Sequence, residues 1–390
     1  AVAARTDVAT TSWERRAALA DLFTPQLTAA TSYVRFSDPF FNFGTGAISP
    51  TATSATLEAR YTLLGGGKLA EVRRSRAALG SAEANETAAR YRTALATDAA
   101  YYAVLAESEL SRVAADRLRR ASEQLSVARV RVQAGATIAA DSLQLLLEVN
   151  RARLDGLRRD SALAVSRFRL GRQIGVPGGG AVDAAPVDTA APAPLPLTLA
   201  AAVAELHARG PEVVAARAAE RSAGAALAAV REDYLPEVTV SATAGAYDAE
   251  FFPSALKRNQ VAVTIALPIW DGGRREVRAA RARAQRDVAR ALRADRERAT
   301  AEQMTQAYNG YATARAGIEL ASIGVAVSAE TYRVQDARYR EGSTTILDLL
   351  EAQVGLSEAE AALVQARYGA RLALAQIEVL LGRRLFDTQH

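Results

Sequence analysis

The sequence predicts a mainly α-helical protein that carries four β-strands and is built as two copies of one unit. Three observations predict it. Ala dominates the apolar residues and only 6% of the 390 residues are aromatic, a composition of close-packed helices rather than a thick globular core. Landmarks recur in the same order at about half the chain length: Leu64-Gly65-Gly66-Gly67 answers Trp270-Asp271-Gly272-Gly273, and "AGATIAAD" (134–141) answers "EGSTTILD" (341–348). In "VAVTIALPIWDGGRREVRAARARAQ" (261–285), apolar residues alternate up to Leu267, then give way to a long run of Ala, Arg, Gln and Glu without Gly or Pro. That is a strand feeding directly into a long helix.

The elements follow in order. The first repeat, 1–174, opens with a partial N-terminal helix, then strands over 26–36 and 54–64, a long helix over 67–133 and a return helix over 140–174. Residues 175–197, rich in Pro, Gly and Ala, read as a solvated, extended linker. The second repeat, 198–390, has helical segments over 198–232 broken near Gly210-Pro211, strands over 237–247 and 259–269, a long helix over 273–340 and a return helix over 345–382. Each long helix spans about 100 Å at 1.5 Å per residue, which implies an elongated molecule. The return helices are half as long. Stacking 140–174 end to end with 211–232 supplies the missing length, and 1–22 would do the same for the second return helix.

The strands carry two different faces. Leu57, Ala59, Tyr61 and Leu63 alternate with Glu58, Arg60 and Thr62, and Val238, Val240 and Ala242 alternate with Thr239, Ser241 and Thr243. This pattern fits a sheet lying on a core or a membrane barrel with a wet lumen. Charged residues on the polar face favour the lumen. Four strands cannot close a spanning barrel, whose minimum is eight, so the barrel reading requires several chains, and three would give twelve strands.

Several classes are excluded or disfavoured. The chain has no Cys, and His only at 207 and 390, so disulfides, thiolate chemistry and most zinc sites are ruled out. The net charge of +5 is spread as Arg among Glu and Asp along helical segments, with Lys only at 68 and 257, unlike a nucleic-acid-binding patch. Gly65-Gly66-Gly67-Lys68 lacks the spacing and the Ser/Thr of a phosphate loop, and no catalytic or metal-ligand spacing stands out, so neither enzyme activity nor a cofactor is expected. No run of about 18 apolar residues forms a transmembrane helix. The start lacks a basic and apolar leader, so any signal peptide is expected to be absent or removed. A soluble coiled-coil scaffold or periplasmic adaptor shares the long helices, but does not need alternating strands before both of them.

The order Leu-Pro, strand, strand, Asp-Gly-Gly, long helix, Tyr-x-x-Gly-x-x-x-x-x-Asp, helix resembles the TolC-type outer-membrane efflux channel family over essentially the whole chain. "YREGSTTILDLLEAQ" (339–353) is its most specific stretch. The resemblance implies a homotrimer in the cell outer membrane, with a twelve-stranded β-barrel continued by a periplasmic α-barrel of helical hairpins. It implies a passive exit duct for small molecules or proteins in a tripartite efflux or type I secretion system, with a periplasmic adaptor and an inner-membrane pump as partners. It places a gate at the hairpin turns: Tyr339 matches the gating tyrosine, Asp141 its acidic partner, and Asp348 with Glu351 the acidic rings. Thr344 stands where the best-known member has a gating arginine. Gly135 and Gly342 read as turn residues, and Gly66, Gly67, Gly272 and Gly273 as strand-to-helix bends. Tyr61 and Trp270 read as membrane-interface aromatics, and Phe40, Phe41, Phe43, Phe251 and Phe252 as loop anchors. Blander roles compete for each: dipole complements for Asp141 and Asp348, helix packing for Tyr339, a solvated charge for Glu351.

Overall fold

The computed structural model describes residues 2–42, 46–65, 67–135, 138–186, 193–249 and 256–386. Gly66, Phe43, Phe251 and Phe252 lie outside the described residues. The elements run α1 (Val2–Phe23), β1 (Gln26–Asn42), β2 (Ala47–Leu64), α2 (Lys68–Gln133), α3 (Ala139–Ile174), α4 (Leu199–Arg209), α5 (Pro211–Glu232), β3 (Glu237–Asp248), β4 (Leu256–Ala266), α6 (Arg274–Glu341) and α7 (Ile346–Leu381). The chain forms two compact units, and they are not the two sequence repeats. One holds residues 1–87 and 214–296, the other 88–213 and 297–390, so each draws matching parts from both repeats.

The first unit contains an antiparallel sheet in the order β1-β2-β3-β4. Its strands depart from the alternation in instructive places. β1 continues past 36 to Asn42, with a register shift between Arg35 and Phe40 around Ser37-Asp38-Pro39, where Pro39 has no N–H to give the ladder. β2 correspondingly begins at Ala47 rather than 54. β4 spans 256–266 rather than 259–269, because Pro268 stops the ladder although alternation carries on to Leu267.

Register sorts the two faces. Leu27, Ala59, Ala242 and Val261 form one cross-strand row, and Tyr61, Val240 and Val263 another. The opposite face has Thr28, Glu58, Thr243 and Gln260 in one row and Thr62, Thr239 and Thr264 in another. A bulge between Thr62 and Leu64 removes Leu63 from the apolar set: Leu64, not Leu63, lies opposite Val238 and continues the row to Ile265. The apolar face is open, with Leu57, Val261, Val263 and Ile265 all more than half exposed in one chain.

The second unit packs along its helices in small clusters. Ala202, Leu206, Met304, Ala307, Tyr311, Ile377 and Leu381 make one, where α4, α6 and α7 meet. The described linker residues run along the helices, exposed on one side and docked on the other. Val182 and Ala184 pack against α2 and α3, and Leu195 and Leu197 against the cluster of α4, α6 and α7. Tyr101, Tyr308 and Tyr311 donate their hydroxyls to the linker carbonyls of Ala185, Leu197 and Ala193. Hydrogen-bonding aromatics thus recruit a segment whose own composition is that of a free linker. The end-to-end stacking is also different: a Cβ on Gly382 would lie 2.8 Å from the Pro211 ring, so the end of α7, not that of α3, abuts the start of α5.

Candidate functional site

The junctions from strand to long helix are built differently in the two repeats. In the second, Asp271 accepts hydrogen bonds from the N–H groups of Arg274 and Arg275 at 3.1 Å each, capping α6. Gly272 and Gly273 take φ of 73° and 80°. Arg275, 6% exposed, pairs with Asp271 at 3.5 Å and lies over the Tyr234 ring. In the first repeat glycine replaces the aspartate, and the cap comes from elsewhere in the chain: Glu232, at the end of α5, accepts from the Ala70 N–H at 3.3 Å. Lys68 donates to the Asp21 carbonyl at 2.6 Å and lies over the Tyr61 ring, while the Tyr61 hydroxyl donates to the Leu22 carbonyl at 2.8 Å. Tyr61 therefore ties α1, β2 and the start of α2 together, whereas Trp270 is 78% exposed.

Gly67 has φ 68° with open space where a Cβ would go. The crowded glycine is Gly65, which was not singled out among the bend residues. At φ 82°, a Cβ there would lie 2.3 Å from the Pro236 carbonyl oxygen. The sequence signal was the Leu235-Pro236 that precedes β3, but the contact between the two repeats is visible only in three dimensions.

The hairpin turns bring most of the remaining residues together. Gly135 (φ 68°) and Gly342 (φ 80°) close the two long helices, and the Ser343 N–H reaches back to the Arg338 carbonyl at 2.9 Å. Tyr339 is 4% exposed, packed with Leu125, Ala128, Leu145, Ile346 and Leu349. Its hydroxyl has no hydrogen-bond partner among the described residues. Burial raises its pKa above that of a free tyrosine, the Asp141 charge adds to the rise, and the Arg131 charge opposes it. Asp141 is thus an electrostatic neighbour of Tyr339 and not its hydrogen-bond partner within one chain.

Arg131, which sequence reading missed, holds Tyr339 more directly. Its guanidinium sits 5.2 Å from the ring centroid and donates to the Tyr339 carbonyl. The repeat hid it, because the residue matching Tyr339 in the first repeat is Val132 and an arginine inside an Arg-rich helix carries no distinctive pattern.

Asp348 forms a capping box with Thr345. The Thr345 N–H donates to Asp348 Oδ2 at 3.1 Å, and the Asp348 N–H donates to Thr345 Oγ1 at 3.3 Å. Thr344 Oγ1 donates to the same carboxylate oxygen at 2.9 Å. Bonds from the Thr345 and Thr344 hydroxyls and the Thr345 N–H lower the Asp348 pKa. In the first repeat Ile138 replaces Thr345 and α3 starts without a side-chain cap. Glu351 is exposed on α7, three residues beyond Asp348 and on the same side of the helix.

Comparison with known proteins agrees with this architecture. The family described as outer membrane efflux protein matches residues 2–176 and 202–383. OpmQ of Pseudomonas putida, a pyoverdine export outer membrane protein, is 28% identical over 292 residues, covering 71% of this chain and 58% of OpmQ. The match thus spans little more than half of that relative. Among solved structures, VceC, an outer membrane protein of Vibrio cholerae, superposes with a TM-score of 0.84 at 18% identity, covering 99% of this chain and 93% of VceC. The MtrE outer membrane channel of Neisseria gonorrhoeae in its open state gives 0.78 at 21% identity, covering 99% and 87%. On the match of its two repeats, the chain belongs to the outer membrane efflux protein family.

Proposed function

We propose that three copies of this chain form a passive exit duct, its sheets closing a twelve-stranded barrel in the outer membrane and its helices continuing the wall into the periplasm. The observation that carries the reading is the four-stranded sheet with one apolar and one polar face, whose second and fourth strands each lead through a glycine bend into a helix of 66 or 68 residues. Such a sheet has free edges at β1 and β4, and pairing those edges between copies removes them. Leu57, Val261 and Val263 then face lipid, while Glu58, Arg60 and Gln260 line the water-filled lumen. No catalytic step is assigned to the duct. An inner-membrane pump supplies the energy and a periplasmic adaptor connects it, with small molecules or proteins as cargo.

The duct is gated at the hairpin turns. Asp348 and Glu351 from three chains bring up to six carboxylates to one mouth, which favours cations and weakens its preference as salt screens the ring. Tyr339, Asp141 and Thr344 sit beside that mouth. Replacing Asp348 by Asn and Glu351 by Gln lowers cation selectivity while assembly survives.

The test is purification of the full chain. It should require detergent, have the mass of three chains and give discrete, cation-selective current steps in planar bilayers. A chain that is soluble without detergent and monomeric would instead be a coiled-coil scaffold.

A further inference from the structure

We propose that the outward face of the sheet holds a phosphorylated glycolipid of the outer leaflet, with Lys257 and Arg35 on its phosphate groups. The proposal rests on the barrel reading above, which sets this face against lipid.

Followed away from the long helices, the apolar face turns polar and cationic. On β4 it runs Ile265, Val263, Val261 and then Asn259 and Lys257, and on β1 it runs Leu27, Ala29, Thr31, Tyr33 and Arg35. Register sets Lys257 in one row with Ala246, Ala55 and Thr31, the next row outward from that of Leu57. Both cations are exposed, and neither has an ion-pair partner among the described residues. The one described carboxylate in these outer rows, Asp248, is buried and accepts from the Ala249 N–H at 2.7 Å. Depth matches as well. Eight residues separate Ile265 from Lys257, about 27 Å along the strand and about 21 Å along the membrane normal at a tilt of about 40°. Leu267 and Ile269, both exposed, extend the apolar face at the other end, so Lys257 stands at the far edge of a band about 25 Å tall. A cation facing lipid is costly inside that band and stable at the headgroups, where phosphates pair with it.

Charge and shape select the occupant. Arg35 stands three strands across the sheet from Lys257 and two rows further out, about 14 Å in each direction, too far for one phosphate to meet both. Cations at two depths suit a lipid with several phosphates. At the outer leaflet of an outer membrane that lipid is a phosphorylated glycolipid, whereas a glycerophospholipid with a single phosphate reaches only one of the two. Between Leu57 and Lys257 the face is also recessed. A depression of about 540 Å³ lies over Ala55, Ala244 and Ala246, with Asn259 and Lys257 along its β4 side. It gives room beside the cation for a sugar or the first carbons of an acyl chain, and the Asn259 amide can hydrogen-bond a hydroxyl or carbonyl there.

The test is native mass spectrometry of the detergent-solubilised assembly of the full chain, incubated with bisphosphoryl lipid A, monophosphoryl lipid A or dioleoylphosphatidylglycerol at equal concentration. Bisphosphoryl lipid A is expected to bind at least about tenfold more tightly than either of the others, the worth of one charge-assisted contact. Lys257→Gln combined with Arg35→Gln should lose that preference. Arg258, one residue along β4 and therefore on the lumen face, is the control, and Arg258→Gln should bind as the unaltered chain does. Equal binding of the three lipids by the unaltered chain overturns the proposal, and this arm needs no variant. A double variant that keeps the preference overturns it too, as does loss of the preference in Arg258→Gln, which would mean that net charge decides and not the outward face. Each of these results in a detergent-requiring, three-chain assembly leaves the barrel reading standing, whereas a chain that is monomeric and soluble without detergent overturns both.

Discussion

Replacing Gly65 by Ala tests how the two repeats are joined where strand becomes helix. The new Cβ lies 2.3 Å from the Pro236 carbonyl oxygen and 2.6 Å from Glu237 Cα, both backbone atoms at the start of β3. Neither can rotate away, so β3 must shift by about 1 Å to restore ordinary contact. At φ 82° the alanine also adopts the left-handed conformation, at a cost of about 1–2 kcal/mol. Overpacking adds about 1–3 kcal/mol, for a total of about 2–5 kcal/mol. Gly273→Ala is the matched control, with φ 80° and nothing within 4 Å of its Cβ, so only the conformational cost of about 1–2 kcal/mol applies. Thermal unfolding of the detergent-solubilised assembly, followed by circular dichroism at one scan rate, separates the two. The alanine at 65 should lower the midpoint more than the alanine at 273. Equal shifts would refute the claim that the first repeat's bend is wedged against the second repeat.

Three further outcomes are expected. Arg131→Ala removes the ring contact and the bond to the Tyr339 carbonyl, a loss of about 2 kcal/mol. Planar-bilayer recordings should show the closed-to-open ratio falling about 30-fold, and an unchanged resting trace would show that Arg131 merely packs. Ala284→Trp places bulk on an exposed stripe of α6, formed with Val277, Val288 and Leu292, so it should reduce the yield of assembled chains without unfolding the single chain. Size-exclusion chromatography in detergent measures this, and a normal assembly peak would mean that no neighbour covers that stripe. Finally, the lowered pKa of Asp348 means that its contribution is present above the ordinary carboxylate pKa and lost as pH falls through the lowered value. Hydrogen exchange in the first turn of α7 should therefore accelerate at acid pH, corrected for the intrinsic rate, and Asp348→Asn should remove that dependence.

Much of the fold was legible because it is written in local patterns. Alternation located all four strands, and unbroken Ala/Arg/Glu runs located the helices to within a residue or two of Lys68–Gln133 and Arg274–Glu341. What escaped depends on contacts between distant segments. The ends of β1 and β4 follow ladder pairing and two prolines, the bulge at Leu63 follows a register mismatch with β3, and the docked linker follows tyrosines more than 80 residues away. At the hairpin turns, Gly135, Gly342 and Asp348 announce themselves through turn and cap chemistry that acts within a few residues. Arg131 and Gly65 do not, since each acts on the opposite repeat. The α6 stripe of Val277, Ala280, Ala284, Val288 and Leu292 is exposed in the single chain, and its helical spacing alone does not distinguish a seam covered within the chain from one left open.

The central claim, that the sheet is a section of a membrane-spanning barrel wall, is tested most directly by single cysteines at 57, 58, 59 and 60 in the otherwise cysteine-free chain. Intact outer-membrane vesicles are treated with a membrane-impermeant thiol reagent. Register puts Leu57 and Ala59 on the apolar face and Glu58 and Arg60 on the polar one. Positions 58 and 60 should label through the lumen while 57 and 59 stay protected by lipid, and equal labelling at all four positions would contradict the account.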